Sequence, residues 1–238
     1  MGVIAILAGA GPALRPAAAA PTAAERAREV LQASGVKGGL VVHVGCGDGQ
    51  LTAALCASDS YLVHGLDADE ANVARAREHV RKLGLYGKVS VSHLAGKRLP
   101  YADNLVNLLV AGPAAGVAAD EIQRALAPGG VACVKDPGGE WTKTVKARTG
   151  MIDEWTHHLH DAGGNAVAND RVVGPPQHLQ WTAGPIWARS HGYTPSVSAM
   201  VSAGGRLFYI CDETLTCVDD TVPGQWRLVA RDAFSGVL

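Results

Sequence analysis

The residues of this chain whose types and spacing can do chemistry fall into two groups. The first is the run VVHVGCGDG over residues 41–49, with Gly45, Gly47 and Gly49 set between a short apolar segment and a polar one. Glycines so placed let the chain turn tightly after a strand and bring a ligand against the backbone N–H groups of the next helix start. About 20 residues further on stands Asp67, at the end of the next apolar run; an acid there can accept hydrogen bonds from both hydroxyls of a ribose. Loop and acid together describe a site for an adenosine. The dinucleotide fingerprint G-x-G-x-x-G would need a glycine at position 50, which is Gln50, so a nicotinamide oxidoreductase is disfavoured. The second group is His157, His158, His160 and Asp161. Clustered imidazoles and a carboxylate suit zinc or another transition metal. No matching motif accompanies them, His178 and His191 are distant, and a hydrogen-bonded structural or interface cluster is the favoured reading, so no metal ligand is assigned.

The elements that must position the loop can be read on both sides of it. Thr22 and Glu25 have capping-box spacing, Val30 and Leu31 supply an apolar patch, and Gly35 ends the segment, which predicts a helix ahead of the first strand. Residues 40–44 form a continuous apolar run broken by His43, as a buried parallel strand requires. A second strand is predicted over 63–66. Val73, Ala76, Val80 and Leu83 then recur at helical spacing up to Gly84. Strands are predicted over 89–91 and 105–110, a helix over 120–126, a turn at Pro128-Gly129-Gly130 and a fifth strand over 131–134. The fold class is α/β, a Rossmann-like doubly wound parallel sheet.

Read in order, the glycine loop, Asp67 with Ala68, the segment LPYADNLVNLLV and the segment EIQRALAPGGV resemble the class I S-adenosylmethionine (SAM)-dependent methyltransferases of the small-molecule branch, over roughly residues 26–135. The resemblance implies SAM as cofactor, methyl transfer to an unknown acceptor as the activity, and a small molecule as the acceptor. Carried over residue by residue, it places Gly45, Cys46, Gly47 and Gly49 along the methionine and ribose side, Asp67 on the ribose, Ala68 against the adenine, and Leu94 and Ala95 near the adenine amino group. Three positions depart from the family pattern. His43 and Asn107 stand where carboxylates are usual, and Leu94-Ala95 where an acid is usual. Alignment of nucleophile and methyl group is the main demand of an in-line displacement. No catalytic side chain is therefore assigned, although the segment 111–116 borders the expected reaction centre.

All five tryptophans and both phenylalanines lie beyond position 140, so a second core is implied. From about residue 177 strand-like aromatic runs alternate with Gly and Asp turns, which indicates antiparallel β structure. GGRLFYI followed by LVARDAFSG resembles part of a PQQ-like (quinoprotein-type) β-propeller blade, and the chain stops where a blade would continue; a propeller would recognise a protein partner or anchor the enzyme. The resulting division is a leader over 1–21, a methyltransferase domain over 22–148, a connecting segment over 149–176 and a partial propeller over 177–238. The leader is apolar and alanine-rich like the later part of a signal peptide, which favours export; the other reading is a disordered Ala/Pro leader on a cytoplasmic protein. The alternative to an enzyme is then a non-catalytic scaffold or binding module of an exported protein. A net charge of −1 in 238 residues offers no field for a phosphate backbone, so nucleic acid is not expected as a partner. No transmembrane segment is expected either. The five cysteines form no CxxC pair, and only Cys211 and Cys217 are close enough for a local bridge, with unpaired strand residues the favoured reading.

Overall fold

The computed structural model describes residues 20–175, 179–183, 197–214 and 222–238. Most of the expected leader, together with His178, His191 and Cys217, lies outside them. Helix α1 (Ala23–Ser34) opens with the predicted capping box: the Thr22 hydroxyl accepts from the Glu25 N–H (3.2 Å) and the Glu25 carboxylate from the Thr22 N–H (2.7 Å). Such a cap is worth about 1 kcal/mol. The helix stops at Gly35, whose left-handed backbone lets its N–H reach the Leu31 carbonyl (3.1 Å).

The chain then builds β1 (Gly39–Val44), α2 (Gln50–Ala54), β2 (Tyr61–Asp67), α3 (Glu70–Lys82), β3 (Val89–His93), β4 (Val106–Ala111), α4 (Ala119–Ala125), β5 (Leu126–Lys135) and β6 (Trp141–Val145). The sheet order is β3-β2-β1-β4-β5-β6, with β1 to β5 parallel and β6 antiparallel at the edge. Residues alternate between two cores along the central strands. Val41, Val63, Leu108, Val110 and Val131 face α1, α2 and α3, while Val42, Val44, Leu66, Leu109 and Ala132 face the other side. Burial on both faces is why these strands are nearly unbroken Val/Leu runs.

The second face carries one seven-residue helix, α4, and a loop over 94–105 that does the work of another. Arg124 binds that loop in place. Its guanidinium donates to the carbonyls of Leu99 (3.2 Å) and Tyr101 (2.8 Å) and pairs with Asp103 (2.6 Å) and Glu121 (2.7 Å), while Glu121 accepts the Leu99 N–H (2.7 Å). The LPYAD and RALAPGG segments are thus two halves of one clamp. The Tyr101 hydroxyl adds a hydrogen bond to His64 Nδ1 (2.7 Å).

One expectation is corrected here, and one element is added. Pro128-Gly129-Gly130 is not a turn before the fifth strand but an irregularity within β5, where the pairing with β4 slips between Val106 and Leu108. The stretch after β5 turns at Asp136 and returns as β6, a strand that the sequence hides because nearly all of its side chains are exposed.

Beyond residue 196 the described residues form a three-stranded antiparallel sheet, β7 (Val197–Ala203), β8 (Arg206–Asp212) and β9 (Trp226–Asp232). This is the antiparallel structure that the aromatic runs called for. It docks near the start of β4, where Asn107 donates to the Asp232 carboxylate (2.9 Å), at the end of the sheet opposite the glycine loop. Among the described residues no helix is long and apolar enough to cross a membrane. Cys46, Cys56, Cys133 and Cys211 carry free thiols.

Candidate cofactor site

The glycine loop leaves the carboxyl end of β1 and is sewn to the end of β2. Gly45 and Cys46 both donate to the Leu66 carbonyl (2.8 and 3.1 Å), and Gly47 donates to the Asp67 carboxylate (2.8 Å). Gly45, Gly47 and Gly49 all adopt left-handed backbone (φ 78°, 56° and 80°). A Cβ on Gly45 or Gly47 would meet nothing within 4 Å, so these two open onto free space. A Cβ on Gly49 would lie 2.8 Å from the Cα and Cβ of Ala76, because α3 runs against the loop. The loop is therefore shaped on one side by packing and is bare on the other, a cradle with room for a ligand.

Asp67 is buried and held by three hydrogen bonds. Besides Gly47, its carboxylate accepts the Asp69 N–H (3.0 Å) and the Asn72 side-chain amide (3.0 Å). Burial pushes its pKa up, but the hydrogen bonds from Asp69, Asn72 and Gly47, with a smaller effect of His43, outweigh it and hold the group below the usual carboxylate range. Asp67 is thus an ionised acceptor fixed at the rim, with lone-pair capacity beyond its three donors.

His43 lies under the loop, buried, with Nδ1 2.8 Å from the Thr52 hydroxyl. It is a hydrogen-bonded core histidine. Burial pushes its pKa down to about 4; the Asp67 carboxylate acts against this and the Arg26 guanidinium with it. The ring is neutral at physiological pH.

The remaining expected residues are placed unequally. Ala68 and Ala95 are exposed at the tips of β2 and β3, beside each other across the Leu94 N–H to Asp67 carbonyl bond (2.8 Å). Cys46 and Leu94 turn their side chains into the two cores, so what they offer a ligand is backbone. Burial raises the Cys46 thiol to about 12, which leaves it unreactive. Residues not singled out on the sequence also belong here. Asn72 and Asp69 orient Asp67, and His93 closes the rim by donating from Nε2 to the Ala68 carbonyl (3.0 Å). The position of Asp69 just ahead of the α3 helical pattern was a usable signal for a helix cap, which it is; His93 had none.

The histidine group forms a folded turn well apart in sequence. His160 is buried, with Nε2 2.7 Å from Asp153 and its ring edge-on to Trp155, while His157 bonds Thr156 (2.9 Å). The N–H groups of Asn169 and Glu154 and then His160 push the Asp153 pKa down to about 2. Among the described residues no three His, Cys, Asp or Glu side chains are grouped to hold a metal ion.

Residues 41–130 match the family described as a methyltransferase domain, a stretch that runs from β1 into β5 and contains the whole cradle. No curated protein sequence matches the chain significantly. Similar solved structures include a putative S-adenosyl-L-methionine-dependent methyltransferase from Methanococcus maripaludis (21% identity over 47% of this chain and 53% of that one, TM-score 0.43). Another is a SAM-dependent methyltransferase from Aquifex aeolicus (26% identity, 46% and 63% covered, TM-score 0.41). A third is the geranyl diphosphate C-methyltransferase of Streptomyces coelicolor A3(2) (18% identity, 46% and 43% covered, TM-score 0.42). The chain spans about half the length of the solved structures it matches. Strand order and the loop at the carboxyl end of β1 define a Rossmann-like α/β sheet, and the segment over 41–130 that holds the cradle is similar to a methyltransferase domain.

Proposed function

We propose that this chain binds S-adenosylmethionine at the β1–β2 cradle and transfers its methyl group to a small-molecule acceptor. The observation that carries the reading is the pairing of two bare left-handed glycines, Gly45 and Gly47, with an ionised Asp67 tied to the same loop through the Gly47 N–H. When bound, the cofactor supplies a methyl group on a sulfonium centre, open to in-line displacement. The residues of the chain bind and orient. Asp67 accepts from ribose hydroxyls, the glycine loop lets the ligand approach the backbone, and Ala68 and Ala95 leave a shallow apolar rim for the adenine. The turn at Pro113–Ala115 after β4 stands beside the end of β1 and borders the acceptor's approach.

Titration calorimetry with S-adenosylhomocysteine tests this. The unaltered chain is expected to bind it saturably, and Asp67→Ala to weaken binding by about tenfold or more, the effect of losing hydrogen bonds to a charged acceptor. Absence of saturable binding, or equal binding by Asp67→Ala, overturns the proposal.

A further inference from the structure

Helix α2 starts at the glycine loop, with Gly49 as its cap, and its carboxyl end helps to wall a groove that the cradle does not share. The opposite wall is α1. Ala24, Arg28, Leu31 and Gln32 recur at helical spacing along one of its faces, and Lys37 follows where the chain leaves the helix for β1. Tyr61, at the start of β2, closes one side. None of these residues is among those placed at the cofactor.

The groove has a volume of about 370 Å³, the size that holds a drug-sized ligand. Its floor is the half-buried rim of the first core, formed by Leu31, Val36 and Ala54 together with the buried ring of Tyr61. The Tyr61 hydroxyl is committed to the Val36 carbonyl (3.0 Å), so the floor presents apolar surface. Two exposed cations, Arg28 and Lys37, edge it, and no carboxylate is among the described residues that line it. Neither side-chain charge forms a hydrogen bond or ion pair with any described residue. Glu25, one turn ahead of Arg28, is bound to the Thr22 N–H and hydroxyl instead (2.7 and 2.9 Å). In a chain of net charge −1, an apolar hollow edged by two unpaired cations is a local exception.

We propose that this groove binds a free organic anion with a compact apolar body, its acidic group drawn to Arg28 and Lys37 and its body laid against Leu31, Val36, Ala54 and Tyr61. A bare inorganic anion would leave the apolar floor in water. A neutral apolar ligand would leave both charges unanswered. Charge complementarity over an apolar floor therefore selects an amphiphile. Arg28 offers forked N–H donors and Lys37 a compact charge on a flexible stem, so a carboxylate, sulfonate or phosphate can serve as the headgroup. A membrane surface fits less well, because the hollow is concave and Glu25 and Glu29, exposed on the same helix, repel anionic headgroups.

The test uses 8-anilinonaphthalene-1-sulfonate, a fused aromatic body with one sulfonate that fluoresces on leaving water. N-phenyl-1-naphthylamine has the same body without the charge, and sodium sulfate supplies an anion without the body. The sulfonate probe is expected to bind saturably and about tenfold or more tighter than either control, with NMR amide shifts at Leu31, Val36, Lys37, Ala57 and Tyr61. Arg28→Gln and Lys37→Gln are each expected to weaken it about 3- to 10-fold, the range of a charged contact at an exposed site. Raised salt is expected to weaken it as well. Thermal melts verify that the variants are folded, and vesicles of phosphatidylglycerol are expected not to sediment the chain. Any of four results overturns the proposal: shifts centred instead on the exposed Ile210, Trp226 and Leu228 of the second sheet; a neutral analogue bound as tightly as the sulfonate; a double variant, Arg28→Gln with Lys37→Gln, that binds the probe as well as the unaltered chain; or sedimentation with vesicles that the double variant loses.

Discussion

Asn107 offers a direct way to ask how the two sheets of this protein are held together. Its side-chain oxygen accepts the Leu40 N–H (2.8 Å), and its amide nitrogen donates to Asp232 at the end of β9 (2.9 Å). Asp232 in turn uses its other oxygen to accept from the N–H groups of Phe234 and Ser235 and from the Ser235 hydroxyl. Asn107→Asp keeps the shape and the bond to Leu40 but sets two carboxylate oxygens face to face. At 2.9 Å the bare repulsion is about 6 kcal/mol for an effective dielectric near 20. Both side chains are half-buried, and screening, together with uptake of a proton by the pair, reduces the expected destabilisation to about 2–4 kcal/mol at neutral pH. The paired carboxyls have a raised pKa in the folded state, so the penalty is full at neutral pH and relieved as pH falls through that value. Adding Asp232→Asn reverses the polarity of the bond, with the amide now on β9 donating to the carboxylate on β4. Urea unfolding followed by tryptophan fluorescence reads all four members of the cycle. The double variant should recover most of the stability lost in Asn107→Asp. A double variant no more stable than Asn107→Asp would refute the bond as the tie between the sheets.

Other consequences can be measured in the same way. The buried His43, with its pKa near 4 when folded against 6.5 when free, binds its proton more readily in the unfolded chain. Its contribution to stability is therefore full above about pH 6.5 and falls by about 3 kcal/mol as pH drops to 4. In His43→Gln that part of the slope should vanish; an unchanged difference between pH 7 and pH 5 would contradict the burial. Gly49→Ala demands a left-handed alanine with its Cβ pressed on Ala76, and a loss of about 2–4 kcal/mol is expected in thermal or urea unfolding. A loss below about 0.5 kcal/mol would show that the loop and α3 are not in contact as described.

How much of this was legible in the sequence follows from where each residue sits. The central strands announce themselves because both faces are buried, so Val41, Val42 and Val44 or Leu108, Leu109 and Val110 run on without polar interruption. The start of α1 is local chemistry between Thr22 and Glu25, and local chemistry can be read directly. Strand β6 could not be read, because an edge strand of Trp, Thr and Lys takes its stability from backbone pairing with β5, which leaves no periodic trace. The irregularity in β5 was mistaken for a turn because Pro-Gly-Gly has the same composition in either role. At the site, the loop and Asp67 were visible through spacing, whereas Asn72 and His93 join them only through what the fold brings beside them. Asn107 was visible as a departure from a family pattern, and its reason, the Asp232 carboxylate, is 125 residues away.

The location of the ligand is the central claim, and a backbone amide titration by NMR with S-adenosylhomocysteine tests it residue by residue. Saturable shifts are expected at Gly45, Gly47, Gly49, Asp67, Ala68 and Ala95, with β7, β8 and β9 unmoved at the far end of the sheet. Shifts centred instead on the groove lined by Arg28, Leu31, Lys37 and Tyr61, or no saturable shift at the cradle, would contradict it.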